Sequence, residues 1–130
     1  MNWRDVAQEA LFAARNLKPY PRSCVNRAYF AAYAAITQAL VDCKGVKFPA
    51  GLEGPSHKDV PNLIGNHLSV LLGRGNIKEV KAAIRRLYGA RLDGDYRISV
   101  EVGRNEVHKV LADCHMIFRE LEIEVEAGHE

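Results

Sequence analysis

The chain has 130 residues, of which 48% are hydrophobic and 26% charged, and its formal net charge is +2. This length is typical of one domain with its own hydrophobic core, and the composition excludes a disordered or fibrous protein. No apolar run approaches the ~20 residues of a transmembrane helix and no secretory leader opens the chain, so we expect a cytoplasmic protein with a single domain over residues 1–130.

The residue types that most often bind metals and cofactors do not occur in the usual patterns. The chain has three widely spaced cysteines, Cys24, Cys43 and Cys114. Their number and spacing indicate reduced thiols and argue against disulfides and against a zinc site. The chain has no phosphate-binding glycine loop, no HExxH and no two Glu-x-x-His motifs of the kind that di-iron bundles use. We therefore expect neither a metal nor a cofactor.

The first half of the chain predicts two helices. Asn2, with Asp5 three residues later, is a good N-terminal cap for a first helix, which should stop before Pro19. A second helix is expected over about residues 23–43. Glycines and prolines over residues 45–55 then predict the one long loop.

The second half predicts three more helices. Pro61 suits the first turn of a third helix, which Gly73 and Gly75 should end. Asn76 is placed to cap a fourth helix, and a last one is expected from about Arg104, with its apolar positions continuing to Val125. Only residues 97–102 alternate as a strand would, so the predicted fold is all-α.

The second helix carries two adjacent apolar stripes. Tyr29 belongs to the first stripe, with Ile36 and Leu40, whereas Asn26, Phe30 and Tyr33 belong to the second. A helix that is apolar on so much of its circumference must be covered on more than one side. It is either the centre of a bundle, or it turns one stripe toward a second copy of the chain.

Three segments resemble one branch of the HEPN domain family. Residues 23–35, SCVNRAYFAAYAA, resemble the S-x-x-N-R-A-Y-[YF]-A motif that opens the family's second helix. Residues 57–60, HKDV, resemble the histidine at the entry to its third helix, and residues 87–96, LYGARLDGDY, resemble its closing arginine, aspartate and tyrosine signature. The segments occur in the family's order and span most of the chain.

The resemblance implies an up-and-down bundle of four to five helices that forms a homodimer. Such chains are often encoded beside a small nucleotidyltransferase, and many are ribonuclease toxins of toxin-antitoxin pairs. The resemblance also implies that Arg91, Asp95 and Tyr96 form the site where RNA is bound or cut. A set of second-helix residues is expected at the dimer contact or the cleft: Asn26, Arg27, Phe30 and Tyr33.

The family's catalytic histidine follows the arginine after four to six residues, but Tyr96, Arg97 and Ile98 occupy those positions here. Tyrosine, with an ordinary pKa near 10, is a poor proton carrier at neutral pH. A runner-up pair is Arg104 and His108, which have three residues between them. The alternative for Arg91 and Asp95 is a structural ion pair one helical turn apart.

Basic residues concentrate on the predicted fourth helix. Residues 74–97 contain seven basic and three acidic residues, whereas residues 101–130 contain three basic and eight acidic ones. Five of the basic residues form a candidate nucleic-acid surface, unless they are simply a solvated face: Arg74, Lys78, Lys81, Arg85 and Arg86. Two functions remain open, an RNA-directed toxin component and a non-catalytic module that binds a protein or a nucleotide.

Overall fold

The computed structural model describes residues 1–125, which form five α-helices and no β-strand. The helices are α1 (Trp3–Asn16), α2 (Pro21–Val41), α3 (Val60–His67), α4 (Ser69–Tyr96) and α5 (Arg104–Glu120), and a 3-10 turn (His57–Asp59) precedes α3. The predicted all-α bundle is confirmed.

Helix α1 begins at the predicted cap. The Asn2 side chain accepts a hydrogen bond from the Asp5 backbone N–H, and the Asp5 carboxylate accepts one from the Asn2 backbone N–H. This reciprocal arrangement satisfies two N–H groups that a helix start otherwise leaves unpaired. The buried face of α1, which includes Ala7, Leu11 and Ala14, packs against α2.

Helix α2 is the centre of the bundle and packs against α1, α3, α4 and α5. All its positions from Ala31 to Thr37 are buried. Small alanine side chains let the neighbouring helices approach closely, and Tyr29 and Ile36 fill the spaces between them. Most of both predicted stripes is therefore covered by the same chain.

The boundary between α3 and α4 differs from the prediction. Helix α3 ends at His67, and α4 begins at Ser69 and continues past Gly75 and Asn76. The break lies at Gly73, whose φ of 75° interrupts the helical backbone and kinks α4. A positive φ is a low-cost conformation only for glycine, so the predicted break at Gly73 is present, whereas Gly75 and the predicted cap Asn76 lie inside the helical stretch that follows it.

The C-terminal part differs in one further respect. Helix α5 ends at Glu120, so Val125 lies beyond the helix in which its spacing had placed it. Residues 97–102 form turns and irregular structure. Helices α2 and α4 run antiparallel, because Arg22 at the start of α2 contacts the end of α4, whereas Tyr29 contacts Tyr88 and Arg91 further back.

Candidate functional site

Four side chains from α2, α4 and the 3-10 turn form one aromatic and basic cluster, which we call the Tyr29 cluster: Tyr29, His57, Tyr88 and Arg91. The Tyr29 hydroxyl lies 2.6 Å from His57 Nδ1 in a hydrogen bond. The His57 ring stacks on Tyr88 with 5.8 Å between ring centroids, and the Arg91 guanidinium lies over the Tyr29 ring at 5.5 Å. A histidine is thus held close to Arg91 by shared contacts with Tyr29.

The loop before α3 is fastened to the bundle in a way that fixes His57. Trp3 Nε1 donates a hydrogen bond to the Glu53 carbonyl, and the buried Tyr33 hydroxyl donates one to the Pro55 carbonyl. His57 follows two residues later, and its ring lies 5.0 Å from that of Tyr33. Contacts from α1 and α2 therefore position the histidine that the 3-10 turn carries.

Arg91 and Asp95 form the predicted pair, since α4 continues through Gly94 to Tyr96. Arg91 Nε lies 3.3 Å from Asp95 Oδ2, and the two side chains are 23% and 24% exposed. The Asn26 side-chain amide donates a hydrogen bond to the same oxygen over 2.9 Å. Asp95 thus joins α2 to α4, while part of the Arg91 guanidinium stays accessible to solvent.

The end of α4 is held in place by Arg22. Its guanidinium donates hydrogen bonds to the carbonyl oxygens of Asp93, Gly94 and three residues of the following turn: Arg97, Ile98 and Val100. Carbonyls at a helix C-terminus have no partner within the helix, and a cation satisfies them well. Arg22 therefore helps to fix the part of α4 that carries Asp95.

Contact with the protein shifts the pKa values of two members of the Tyr29 cluster, His57 and Tyr29. Partial removal from water, reinforced by the nearby Arg91, lowers the pKa of His57 below 6.5, although its side chain stays partly exposed. Burial also raises the pKa of the Tyr29 hydroxyl, and Arg91 offsets only part of that effect. At neutral pH the imidazole is therefore uncharged and the phenol keeps its proton.

We expect the NMR titration of the His57 ring protons to give a midpoint below 6.5. The unfolded chain then binds this proton more readily than the folded chain, so the His57 contribution to the free energy of unfolding is complete above pH 6.5 and falls as the pH drops through that value. Burial, with Arg15 and Lys18 nearby, lowers the pKa of His115 as well, so a His57→Gln variant is needed to separate the two. A midpoint at or above 6.5 would contradict the partial removal of His57 from water and its proximity to Arg91.

A cavity of about 230 Å³ opens beside the Tyr29 cluster. Tyr29, His57 and Tyr88 line it together with two cations, Lys58 and Arg85. Aromatic rings stack on nucleobases and cations bind phosphate, so this combination suits a single-stranded nucleic acid.

The five residues of the predicted basic surface do not form a single face. Arg74, Lys78 and Arg85 are exposed on α4, whereas Lys81 is half-buried, with its Nζ beside Gly65 of α3. Arg86 points toward α5, where it forms a two-bonded ion pair with Asp113 at 2.8 and 3.0 Å. Arg85 is the member that reaches the cavity.

The remaining predicted residues lie at different depths. Tyr96 is 70% exposed at the end of α4. Arg104 and His108 are exposed on the first turns of α5, and neither makes a hydrogen bond or ion pair with the Tyr29 cluster within residues 1–125.

Of the residues expected at a dimer contact or cleft, Asn26, Arg27 and Phe30 are half-buried, whereas Tyr33 is only 7% exposed and faces the chain's own loop.

Sequence reasoning missed His57 as a member of the site. The family's spacing places a histidine after Arg91, whereas His57 comes before it, on another element. One signal was available, because the resemblance had marked this histidine at the entry to the third helix. The missing information was its contact with Tyr29, which spacing along the chain does not reveal.

The all-α fold agrees with a comparison to known families. The model of the HEPN domain matches residues 1–124. The chain belongs to the HEPN family. A search of curated proteins gives no significant match.

Within residues 1–125, no helix is long and apolar enough to cross a membrane. The same part of this HEPN chain contains no group of three or more histidine, cysteine, aspartate or glutamate side chains arranged to hold a metal ion.

Proposed function

We propose that this HEPN chain acts as a homodimer that binds and cuts single-stranded RNA without a metal ion, as the RNA-directed component of a toxin-antitoxin pair. The observation that carries the proposal is the contact of both His57 and Arg91 with Tyr29. Cleavage of RNA through its own 2′-hydroxyl needs a proton carrier with a pKa near neutrality and a cation beside the phosphate. The Tyr29 cluster supplies both.

In the proposed reaction the 2′-oxygen attacks the adjacent phosphorus, and the bond from phosphorus to the next 5′-oxygen breaks. His57 accepts the proton of the 2′-hydroxyl, and Arg91 stabilises the charge that develops on the phosphorane. The imidazolium then gives a proton to the leaving 5′-oxygen. The products are a 2′,3′-cyclic phosphate and a 5′-hydroxyl, and no co-reactant is consumed.

The state of His57 suits this role. Its lowered pKa keeps the imidazole neutral at pH 7, which is the form a general base needs. When Nδ1–H donates to the Tyr29 oxygen, Nε2 is left with a lone pair that can accept the proton. Tyr29 is therefore proposed to orient the ring, and Lys58 and Arg85 to hold the flanking phosphates.

The test is incubation of the purified chain with a single-stranded RNA in excess EDTA. We expect cleavage, with products that end in a 2′,3′-cyclic phosphate. RNA that stays intact, or cleavage that depends on added divalent metal, would contradict the mechanism. Light scattering on the same sample tests the dimer.

The proposed partner is a small nucleotidyltransferase, and the exposed apolar side chains of Tyr96, Ile98 and Val100 at the end of α4, which we call the apolar patch, support contact with another protein. Ile98 is 91% exposed and Tyr96 70% exposed, with Val100 beside them in the turn that Arg22 holds. Exposed apolar groups that are held in a fixed conformation are favourable anchors for binding.

We expect the chain to co-purify with a nucleotidyltransferase encoded beside it, and Ile98→Asp to reduce that binding at least tenfold. Exposed Val70, on the first turn of α4, gives a matched control, because Val70→Asp adds the same charge elsewhere. Equal binding by the two variants would exclude this patch, and the lack of any such neighbouring reading frame would count against the pairing.

A second candidate function is a non-catalytic interaction module. The observation that favours it is the engagement of Arg91, which already contacts Asp95 and the Tyr29 ring before any ligand binds. In that case Arg91 and Asp95 fix the register of α2 against α4. Loss of thermal stability in Arg91→Ala, with no RNA cleavage by the unchanged chain, would decide for this function.

A further inference from the structure

A second and larger cavity lies near the start of α2, beside the end of α4. Its volume is about 460 Å³, and Ser23, Asn26, Arg27 and Asp95 are among its lining residues. We call it the Asp95 cavity. The volume falls within the range of small-molecule sites, and Asp95 connects the cavity to Arg91 and thus to the Tyr29 cluster.

The Asp95 cavity contains an unused acceptor. Both polar contacts of the Asp95 carboxylate, with Asn26 and with Arg91, involve Oδ2. Within residues 1–125, Oδ1 makes no hydrogen bond. A ligand in the cavity can therefore donate a hydrogen bond to this oxygen without displacing an existing one.

The Asp95 cavity also contains unused donors. The Arg27 guanidinium lies over the Phe30 ring at 5.1 Å, and its Nε donates a weak hydrogen bond of 3.4 Å to Asn26 Oδ1. In the part of the chain that the structure describes, its two terminal amino groups have no partner. Arg22 also lines the cavity, but it differs from Arg27 because its guanidinium already donates hydrogen bonds to five backbone carbonyls.

These groups select a ligand that both donates and accepts hydrogen bonds. A bare phosphate fits poorly, because the Asp95 carboxylate repels it. Guanine offers N1–H and an exocyclic amine as donors, and O6 and N7 as the paired acceptors that the fork of an arginine matches. Uracil lacks the exocyclic amine, and adenine and cytosine lack the O6 and N7 acceptor pair.

We propose that the Asp95 cavity is a base-recognition subsite that holds a guanine of the RNA, with Arg27 and Asp95 as its specificity-determining residues. The substrate role rests on the proposed function. Since Asp95 also bonds Arg91, the recognised guanine lies next to the phosphate that is cut. The RNA is then cleaved beside guanines in preference to other bases.

The experiment measures binding of the four ribonucleoside 5′-monophosphates to the purified chain by calorimetry, which needs no cleavage. We expect guanosine monophosphate to bind about tenfold more tightly than the other three, as one good bidentate base contact allows. Arg27→Ala and Asp95→Asn are expected to reduce this preference to within twofold. Arg119→Ala removes an exposed cation on α5 and should preserve it.

Arg27→Lys guards against a variant that fails to fold, because it keeps the charge and loses the planar fork. It is expected to lose the guanine preference while its circular dichroism stays unchanged. Equal binding of the four nucleotides, or a preference that survives in Arg27→Lys, would overturn the subsite. Guanine binding by a chain that does not cut RNA would support the subsite and reject the cleavage. RNA cleavage without any base preference would support the cleavage and reject the subsite.

Discussion

Arg91→Ala is expected to reduce RNA cleavage in EDTA by about 10²- to 10³-fold, the loss typical when one group that stabilises transition-state charge is removed. The reason is the position of the guanidinium, over the Tyr29 ring and close enough to His57 to lower its pKa. The rate constant for a single turnover, measured on a labelled RNA at saturating protein, reports this step without product release.

His57→Ala is expected to reduce the same rate constant by about 10²- to 10⁴-fold, which is the usual contribution of a general base. In the unchanged chain the rate should fall as the pH drops below 6.5, because His57 becomes protonated at its lowered pKa. This dependence should be absent from the residual activity of the variant.

His108→Ala is the matched control, since His108 is exposed on α5. We expect it to cleave RNA at the rate of the unchanged chain. A large loss in His108→Ala, together with full activity in His57→Ala, would move the site to Arg104 and His108.

Gly54→Ala is expected to lower the free energy of unfolding by about 1–3 kcal/mol, the usual cost of overpacking a buried site. A methyl group at Gly54 would lie 2.6 Å from the Tyr33 hydroxyl, which donates to the Pro55 carbonyl. Relief of this contact moves either the loop or the Tyr33 hydroxyl that fastens the loop through Pro55, so the position of His57 is disturbed and RNA cleavage should decrease as well. Urea unfolding followed by Trp3 fluorescence measures the stability, because Trp3 donates to the Glu53 carbonyl in the same loop.

Tyr33→Phe provides the control for this prediction. Without the hydroxyl, the closest atom to the new methyl group is Trp3 Cζ2 at 3.4 Å, an ordinary contact distance. The cost of Gly54→Ala should therefore be smaller in the Tyr33→Phe background, and a double-mutant cycle measures the difference. Equal costs in the two backgrounds would refute the contact between Gly54 and the Tyr33 hydroxyl.

Local sequence signals predicted much of the fold, because the interactions behind them are also local. The capping pair of Asn2 and Asp5 involves residues three apart, and the Arg91 and Asp95 pair spans one helical turn. The predicted break at Gly73 is present, but the predicted cap at Asn76 is not, because only Gly73 takes a positive φ and Gly75 and Asn76 continue the helix.

The sequence by itself determined that this HEPN chain is all-α, and it placed Arg91 and Asp95 on one side of a helix provided that the helix continues through Gly94. Helical periodicity and capping, which act over a few residues, are sufficient for those conclusions. Only the tertiary structure decided that His57 joins Arg91 at Tyr29, that Tyr33 faces inward, and that Arg86 turns away to Asp113. Those contacts join residues far apart in the chain, so they depend on how the helices and the 42–56 loop pack together.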